Sequence, residues 1–170
     1  TQCWPFLSAQ KAVAVVGTRR PSDHGCRMAH ALGQCLARAG WPVVSGLAEG
    51  IDAASHHGCL AAGGFPIGVL GTPLDRVYPS EHEALQAQVE SAGLLLSEWP
   101  RGARVQRSNF ALRNRLLVSV SCALVVVECP ETSGSLLSAQ IAHTQDCPVW
   151  VVPGDALRWS SKGSNGLLQE

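Results

Sequence analysis

Apolar positions along the chain fall into short continuous runs, separated by longer stretches in which they recur at helical spacing. The runs at 13–16, 42–45, 66–70, 94–98, 123–128 and 148–152 are too short for ordinary helices and do not alternate with polar residues. Each predicts a strand covered on both faces, the last of them a core strand. Between them, Ser22 is an N-cap for a helix over about 23–39, carried by Cys26, Ala29, Leu32, Cys35, Leu36 and Ala39 and stopped by Gly40. Further helices are predicted over about 52–62, from Pro79-Ser80 to about 92, over about 110–121 and over 135–145. Strands alternating with helices of this length imply an α/β fold, a mostly parallel sheet with right-handed crossovers and helices on both faces. Residues 1–12 are an entry segment, 99–109 the longest irregular stretch, and the tail from 153 is turn-rich, with 166–170 resembling the start of a further helix.

The organising stretch is Val13-Ala14-Val15-Val16-Gly17-Thr18-Arg19, a buried strand that runs into a glycine turn and then a helix. In open α/β sheets ligands sit at the carboxyl ends of the strands. A hydroxyl, free backbone N–H groups, a guanidinium and a helix N-terminus can converge there on one anion, although any strand–glycine–helix unit offers a tight turn of this kind. Three more strand ends carry glycines and hydroxyls: Ser45-Gly46, Gly71-Thr72, and Thr132-Ser133-Gly134-Ser135 just past Glu128. The strand–helix alternation aligns all four along one edge, and together they favour a phosphate-binding edge over four unrelated loops.

A second constellation is Asn109-Phe110-Ala111-Leu112-Arg113-Asn114-Arg115. Arginines two apart lie on different sides of a helix, so one docking surface takes one of them together with Asn114 while the other serves structure. Phe110, expected at the helix start, is either a stacking platform for a nucleobase or a core aromatic. The balance of 13 basic and 13 acidic residues rules out a uniformly basic nucleic-acid coat. Charge is nonetheless uneven: Arg101, Arg104, Arg107, Arg113 and Arg115 fall within fifteen positions that hold no Asp or Glu.

At 46% apolar and 15% charged residues the 170-residue chain is a folded domain, treated as a single one over 1–170, and no apolar run is long enough to span a bilayer. The first residues show no signal peptide, and without an initiator Met the chain reads as an excised fragment. Seven cysteines without a C-x-x-C pair read as small buried hydrophobes in a reducing compartment, neither zinc ligands nor a disulfide scaffold. Adjacent His56 and His57 point to different faces and lack a third ligand, so they are surface or satisfied histidines and no metal site is expected. The chain lacks a G-x-G-x-x-G, a Walker A lysine and a G-x-S-x-G elbow, and Glu49, Asp52, Glu98 and Glu128 have no evident catalytic partner. No catalytic residue and no cofactor is assigned.

Taken in order, Val16-Gly17-Thr18-Arg19 with Gly25, Ser45 to Asp52, Val69-Leu70-Gly71 through Asp75-Arg76-Val77-Tyr78-Pro79, Ser97-Glu98, Asn109-Phe110 with Arg113-Asn114-Arg115, Ser133-Gly134-Ser135-Leu136, Val152-Pro153-Gly154 and Gly163-Ser164-Asn165 resemble the successive motifs of the DNA-processing protein A (DprA/Smf) family. The resemblance runs from about residue 11 to 168. It implies an extended Rossmann-like fold and a cytoplasmic, non-enzymatic protein that binds single-stranded DNA. In bacteria that take up DNA, such a protein protects the incoming strand during natural transformation and helps load a RecA-type recombinase. A homodimer is also implied. By the same resemblance Arg19 contacts phosphate; Gly17, Thr18, Ser45, Gly46, Gly71, Asn114, Ser133, Gly134 and Ser135 line the pocket; and Phe110, Arg113 and Arg115 touch nucleotides.

The chain departs from the family pattern at Ala111, where proline usually follows the phenylalanine, and at His56, where alanine is usual, the latter expected to be a surface change. The helical and winged-helix domains that often flank this core are not encoded in these residues. The alternative is a nucleoside-monophosphate-binding enzyme or sensor related to the phosphoribohydrolases. Their P-G-G-x-G-T-x-x-E motif is absent, since the segment around Thr132-Ser133-Gly134-Ser135 lacks its proline and downstream glutamate.

Overall fold

A computed structural model describes residues 11–168. Most of the entry segment, and the last two residues of the tail, therefore lie outside the described residues. The chain alternates β1 (Val13–Val16), α1 (Asp23–Arg38), β2 (Val43–Ser45), α2 (Ile51–Ala61), β3 (Pro66–Val69), α3 (Glu83–Ala92, entered through a 3-10 turn at Ser80–His82), β4 (Leu94–Leu96), α4 (Arg107–Ser119), β5 (Ala123–Val126), α5 (Gly134–Thr144), β6 (Val149–Val151), a 3-10 turn at Trp159–Ser161 and α6 (Lys162–Gly166). All six strands are parallel, in the order β4-β3-β2-β1-β5-β6. The chain steps outward from β1 to β4, returns across one face through α4, and places β5 in register beside β1, Val13 opposite Ala123 and Val16 opposite Val126. The β1–β5 boundary is where the winding reverses.

The predicted α/β architecture is observed. Residues of β1 divide between two cores, because successive strand side chains point to opposite faces. Ala14 and Val16 pack with Leu117 and Val118 of α4 and Ala139 and Ala142 of α5, whereas Val15 packs with Ala29 of α1 and Ile51 and Cys59 of α2. Both faces of the central strands are thus sealed by helices, which is why those strands read as unbroken apolar runs. The expectation of a core strand at 148–152 is corrected: β6 is the sheet edge, and Trp150 is 66% exposed. The final helix forms at Lys162–Gly166, ahead of the 166–170 expected from the sequence. The cysteines divide as well, with Cys59 and Cys129 buried and Cys35 exposed.

Ser22 caps α1 as predicted, its side chain accepting from the Gly25 amide. Of the predicted stripe, Ala29 is buried and Leu32 and Leu36 pack half-buried against the core, while Cys35 is exposed. The buried face also includes Gly25 and Gly33, which periodicity of apolar residues misses because they carry no side chain. A Cβ at Gly33 would lie 2.2 Å from the Ser55 carbonyl oxygen of α2, and one at Gly58 of α2 would lie 2.0 Å from the His30 carbonyl oxygen of α1. The two helices therefore meet backbone to backbone.

Gly33→Ala forces this contact apart and is expected to cost about 1–3 kcal/mol, as overpacking does. Thermal unfolding should show a Tm lower by several degrees, while Gly166→Ala, where a Cβ meets open space, leaves Tm within about a degree. An unchanged Tm for Gly33→Ala would contradict the close packing.

Candidate functional site

The loops after β1 and β5 open the sheet at the reversal. Gly17 is needed for the close approach of the two loops, since a Cβ there would lie 2.5 Å from Ile51 Cγ1 and 2.8 Å from the Glu128 carbonyl oxygen. The Thr18 amide donates to that carbonyl at 2.7 Å, and the Thr18 carbonyl accepts from the Ile51 amide that begins α2. Thr18 Oγ1 accepts from the Arg20 amide. Across the opening, Ser133 caps α5, accepting from the Ser135 amide, and Ser135 Oγ donates to the Gly17 carbonyl at 2.9 Å. Asn114 Nδ2 donates to the Gly134 carbonyl and ties α4 to the same helix end. The result is a cavity of about 520 Å³, lined by both loops, the outer turns of α4 and the start of α5. A helix N-terminus carries partial positive charge and unsatisfied amides, both favourable to an anion.

Three exposed arginines, Arg19, Arg20 and Arg107, line this cavity. Among the described residues the single ion pair is Arg115 Nη2 to Glu98 Oε1 at 2.7 Å, so none of the three is matched by a carboxylate. A fourth, Arg113, is buried at 5% exposure, and its Nη1 donates to the Val69 carbonyl at 3.0 Å while its Nε has no partner. Gly46 makes room for it: a Cβ there would lie 1.5 Å from Arg113 Nη1. Asp52 is buried near it and accepts from the Gly46 amide at 3.1 Å. Burial raises the Asp52 pKa, against the opposing pull of the Arg113 guanidinium, and burial lowers the Arg113 pKa, against the pull of Asp52. The floor thus holds a buried acid and a buried guanidinium, each shifted by burial toward its neutral form and by the other toward its charged form, and the mouth holds guanidinium groups without carboxylate partners.

Phe110 sits in the second turn of α4, not at its start, because the helix begins at Arg107. Its ring is hemmed in: a Cβ at Gly71 would lie 2.6 Å from Cδ1, the Tyr78 ring is 4.8 Å away at 45°, and Arg19 Cζ lies 5.9 Å from the ring centroid. Phe110 therefore holds the Arg19 side chain from beneath by a cation–π contact. Tyr78, 46% exposed, is the outer ring of the pair.

The structure brings together Gly17, Thr18, Arg19, Phe110, Arg113, Asn114, Ser133, Gly134 and Ser135 around one cavity. Four of the predicted residues do not line this cavity, although Gly46 lines a smaller one beside it with Arg19, Phe110 and Arg113. Ser45 is fully buried and its Oγ donates to the Val15 carbonyl, bracing the sheet; Gly46 and Gly71 accommodate Arg113 and Phe110; Arg115 projects from the other side of α4 to Glu98. Of the two arginines, Arg113 lines the cavity with Asn114, and Arg115 does not. Sequence reasoning did not place Arg20, Arg107 or Trp159 at the site. The arginine-rich stretch had flagged Arg107, but nothing in the local pattern of the turn-rich tail marks Trp159. Of the four carboxylates without evident partners, Glu98 has one in Arg115, and Glu128 has two in Ser22 and Ser160, whose hydroxyls both donate to it.

A doubly wound parallel sheet with an arginine-lined crevice at its reversal is the architecture in which open α/β domains place their ligands. The model of the family described as DNA recombination-mediator protein A matches residues 4–170, and the chain belongs to that DNA-processing family. It is 44% identical over 141 residues to protein Smf of Synechocystis, covering 83% of this chain and 35% of that one. It is 36% identical over 165 residues to DNA processing protein DprA of Bacillus subtilis, covering 97% and 56%. It thus spans between about a third and a little over half of these curated relatives. Among solved structures, it resembles DNA processing protein A of Streptococcus pneumoniae (TM-score 0.86, 35% identity, 93% of this chain and 56% of that one). It also resembles that of Helicobacter pylori, a structure concerned with a unique single-stranded DNA binding mode (TM-score 0.87, 31% identity, 97% and 74%).

One expectation near the site is overturned. His56, one turn beyond Asp52 on α2, is not a surface residue: it is fully buried, and its ring nitrogens make no well-formed hydrogen bond, the Ser45 backbone giving only a weak opposing pull on its pKa. Burial holds the imidazole neutral, its pKa lowered from 6.5 to about 3. The unfolded chain takes up a proton as pH falls through 6.5 and the fold does not until about 3. Between these values the unfolded state binds more protons, and stability drops by up to about 1.4 kcal/mol per pH unit of acidification. Comparing urea unfolding of the wild type with His56→Ala cancels other titrating groups. The stability gap between them should shift by about 2 kcal/mol in the variant's favour from pH 7 to pH 5, and a gap that stays constant would contradict a buried neutral His56.

Proposed function

We propose that this chain is a sequence-independent single-stranded DNA binding domain, without catalytic activity of its own, that holds backbone phosphates in the β1–β5 crevice. The observation that carries the reading is the set of arginines without carboxylate partners, Arg19, Arg20 and Arg107, around a cavity whose far wall is the capped start of α5. Phosphate contacts of this kind supply affinity without reading bases. The single-stranded DNA binding mode described for the Helicobacter pylori relative supports the same ligand. Membership of a recombination-mediator family supports a cytoplasmic role in recombination and natural transformation: protecting an incoming strand, assisting a RecA-type recombinase, and acting as a homodimer within a longer protein with flanking domains. No described helix is long and apolar enough to cross a membrane.

Fluorescence anisotropy of a labelled oligo-dT across a salt series tests the reading. The wild type should bind with affinity falling steeply with salt, because neutralised phosphates release counterions. Arg19→Ala should weaken binding to all sequences alike and flatten the slope of log affinity against log salt by roughly one unit. A slope unchanged by the substitution would remove Arg19 from the phosphate site. Salt-insensitive binding of free nucleoside monophosphate, with no preference for long oligonucleotides, would favour the mononucleotide reading instead.

A further inference from the structure

Trp159 is the largest exposed side chain on the cavity wall, 63% exposed, and the phosphate contacts leave it without a task. Its backbone, by contrast, is fixed. The next residue, Ser160, donates its hydroxyl to Glu128, a carboxylate only 3% exposed that also accepts from Ser22 Oγ at 2.7 Å. Ser161 is buried, and the Ser164 amide just beyond donates to the Cys129 carbonyl at 3.0 Å. A Cβ at Gly163 would lie 2.5 Å from the Pro130 carbonyl oxygen. The segment is therefore clamped to the loop after β5 that forms the phosphate cavity, and only the indole stands free.

We infer that Trp159 is a base-stacking platform: a nucleobase of the bound single strand packs on its indole while the adjoining phosphate occupies the cavity. This rests on the single-stranded DNA reading above and assigns the stacking contact to a different residue from the one the sequence suggested. Phe110 is the less suitable ring, being half-buried against Gly71, tilted against Tyr78 and engaged by Arg19. Trp159 has the larger π-face and shares its cavity wall with a second exposed apolar side chain, Leu137, while Arg107 and Arg19 line the same cavity. An apolar face beside unpaired guanidinium groups matches the alternation of base and phosphate along a single strand, and stacking accepts any base, as a sequence-independent binder requires. An indole on a fixed backbone also loses little conformational freedom when a base packs on it.

The test measures the full chain binding oligo-dT and an oligomer of the same length with an abasic backbone. The wild type should prefer oligo-dT by about tenfold or more. Trp159→Ala should lose most of that preference and keep the wild-type salt slope, because no phosphate contact is removed; Trp159→Phe should restore much of it, and Trp159→Leu, apolar but without a π-face, should not. Trp150→Ala, on the sheet edge away from the cavity, should bind like the wild type. Oligo-dT affinity unchanged in Trp159→Ala, or equal wild-type affinity for the two oligomers, overturns the stacking role while leaving phosphate binding intact. Failure of the wild type to bind either oligomer at low salt overturns the single-stranded DNA reading and this role with it.

Discussion

A parallel sheet that reverses its winding must leave, at the reversal, two neighbouring strands whose following loops turn away to opposite faces. Here β1 and β5 are those strands, and the site is built on that geometric necessity. The loops are kept open yet linked by a few bonds, chiefly the Thr18 amide to the Glu128 carbonyl and Ser135 Oγ to the Gly17 carbonyl. Gly17 allows the approach, because any side chain there would strike Ile51 or the Glu128 backbone. Backbone amides and a helix start are thereby presented at one edge before any charged side chain is considered.

Charge is then arranged in depth. The buried Arg113 is costly to desolvate, and it is tolerated because Val69 supplies a carbonyl, Asp52 an opposing charge and Gly46 the space. Arg113 and Asp52 do not form an ion pair; each acts on the other at longer range, and for each the effect of burial is the larger one. Arg19, Arg20 and Arg107 stand at the mouth in solvent, where charge attracts a polyanion at small desolvation cost. Net neutrality of the chain is no obstacle, since binding depends on where charges sit rather than on their sum.

Much of this was legible in the sequence. The strand–helix alternation gave the sheet, because parallel strands buried on both faces must be unbroken apolar runs. Of the motif residues that face the cavity, Gly17, Thr18, Arg19, Ser133, Gly134 and Ser135 lie just past strand ends or at a helix start, where position along the chain fixes position in space, and Phe110, Arg113 and Asn114 lie further along α4. What escaped had physical reasons. Ser45, Gly46 and Gly71 also follow strand ends, but β2 and β3 lie on the same side of the reversal, and their loops accommodate Arg113 and Phe110. His56 is buried on α2 among groups far away in sequence, the Ser45 backbone at the end of β2 and Arg113 of α4, a long-range arrangement that periodicity cannot register. Trp159 reaches the cavity only because Ser160 and Ser164 fold the tail back onto the β5 loop.

The central claim is that the crevice holds the backbone phosphates of a single strand, and competition binding tests it most directly. Labelled oligo-dT bound to the full chain would be challenged with unlabelled oligo-dT, duplex of the same length and thymidine monophosphate at one fixed low salt concentration. The account predicts that the unlabelled single strand displaces the probe at far lower concentration than either the duplex or the mononucleotide, because only a flexible strand can seat several phosphates and a base along the arginine-lined crevice. Displacement by mononucleotide at concentrations comparable to the oligomer would contradict it.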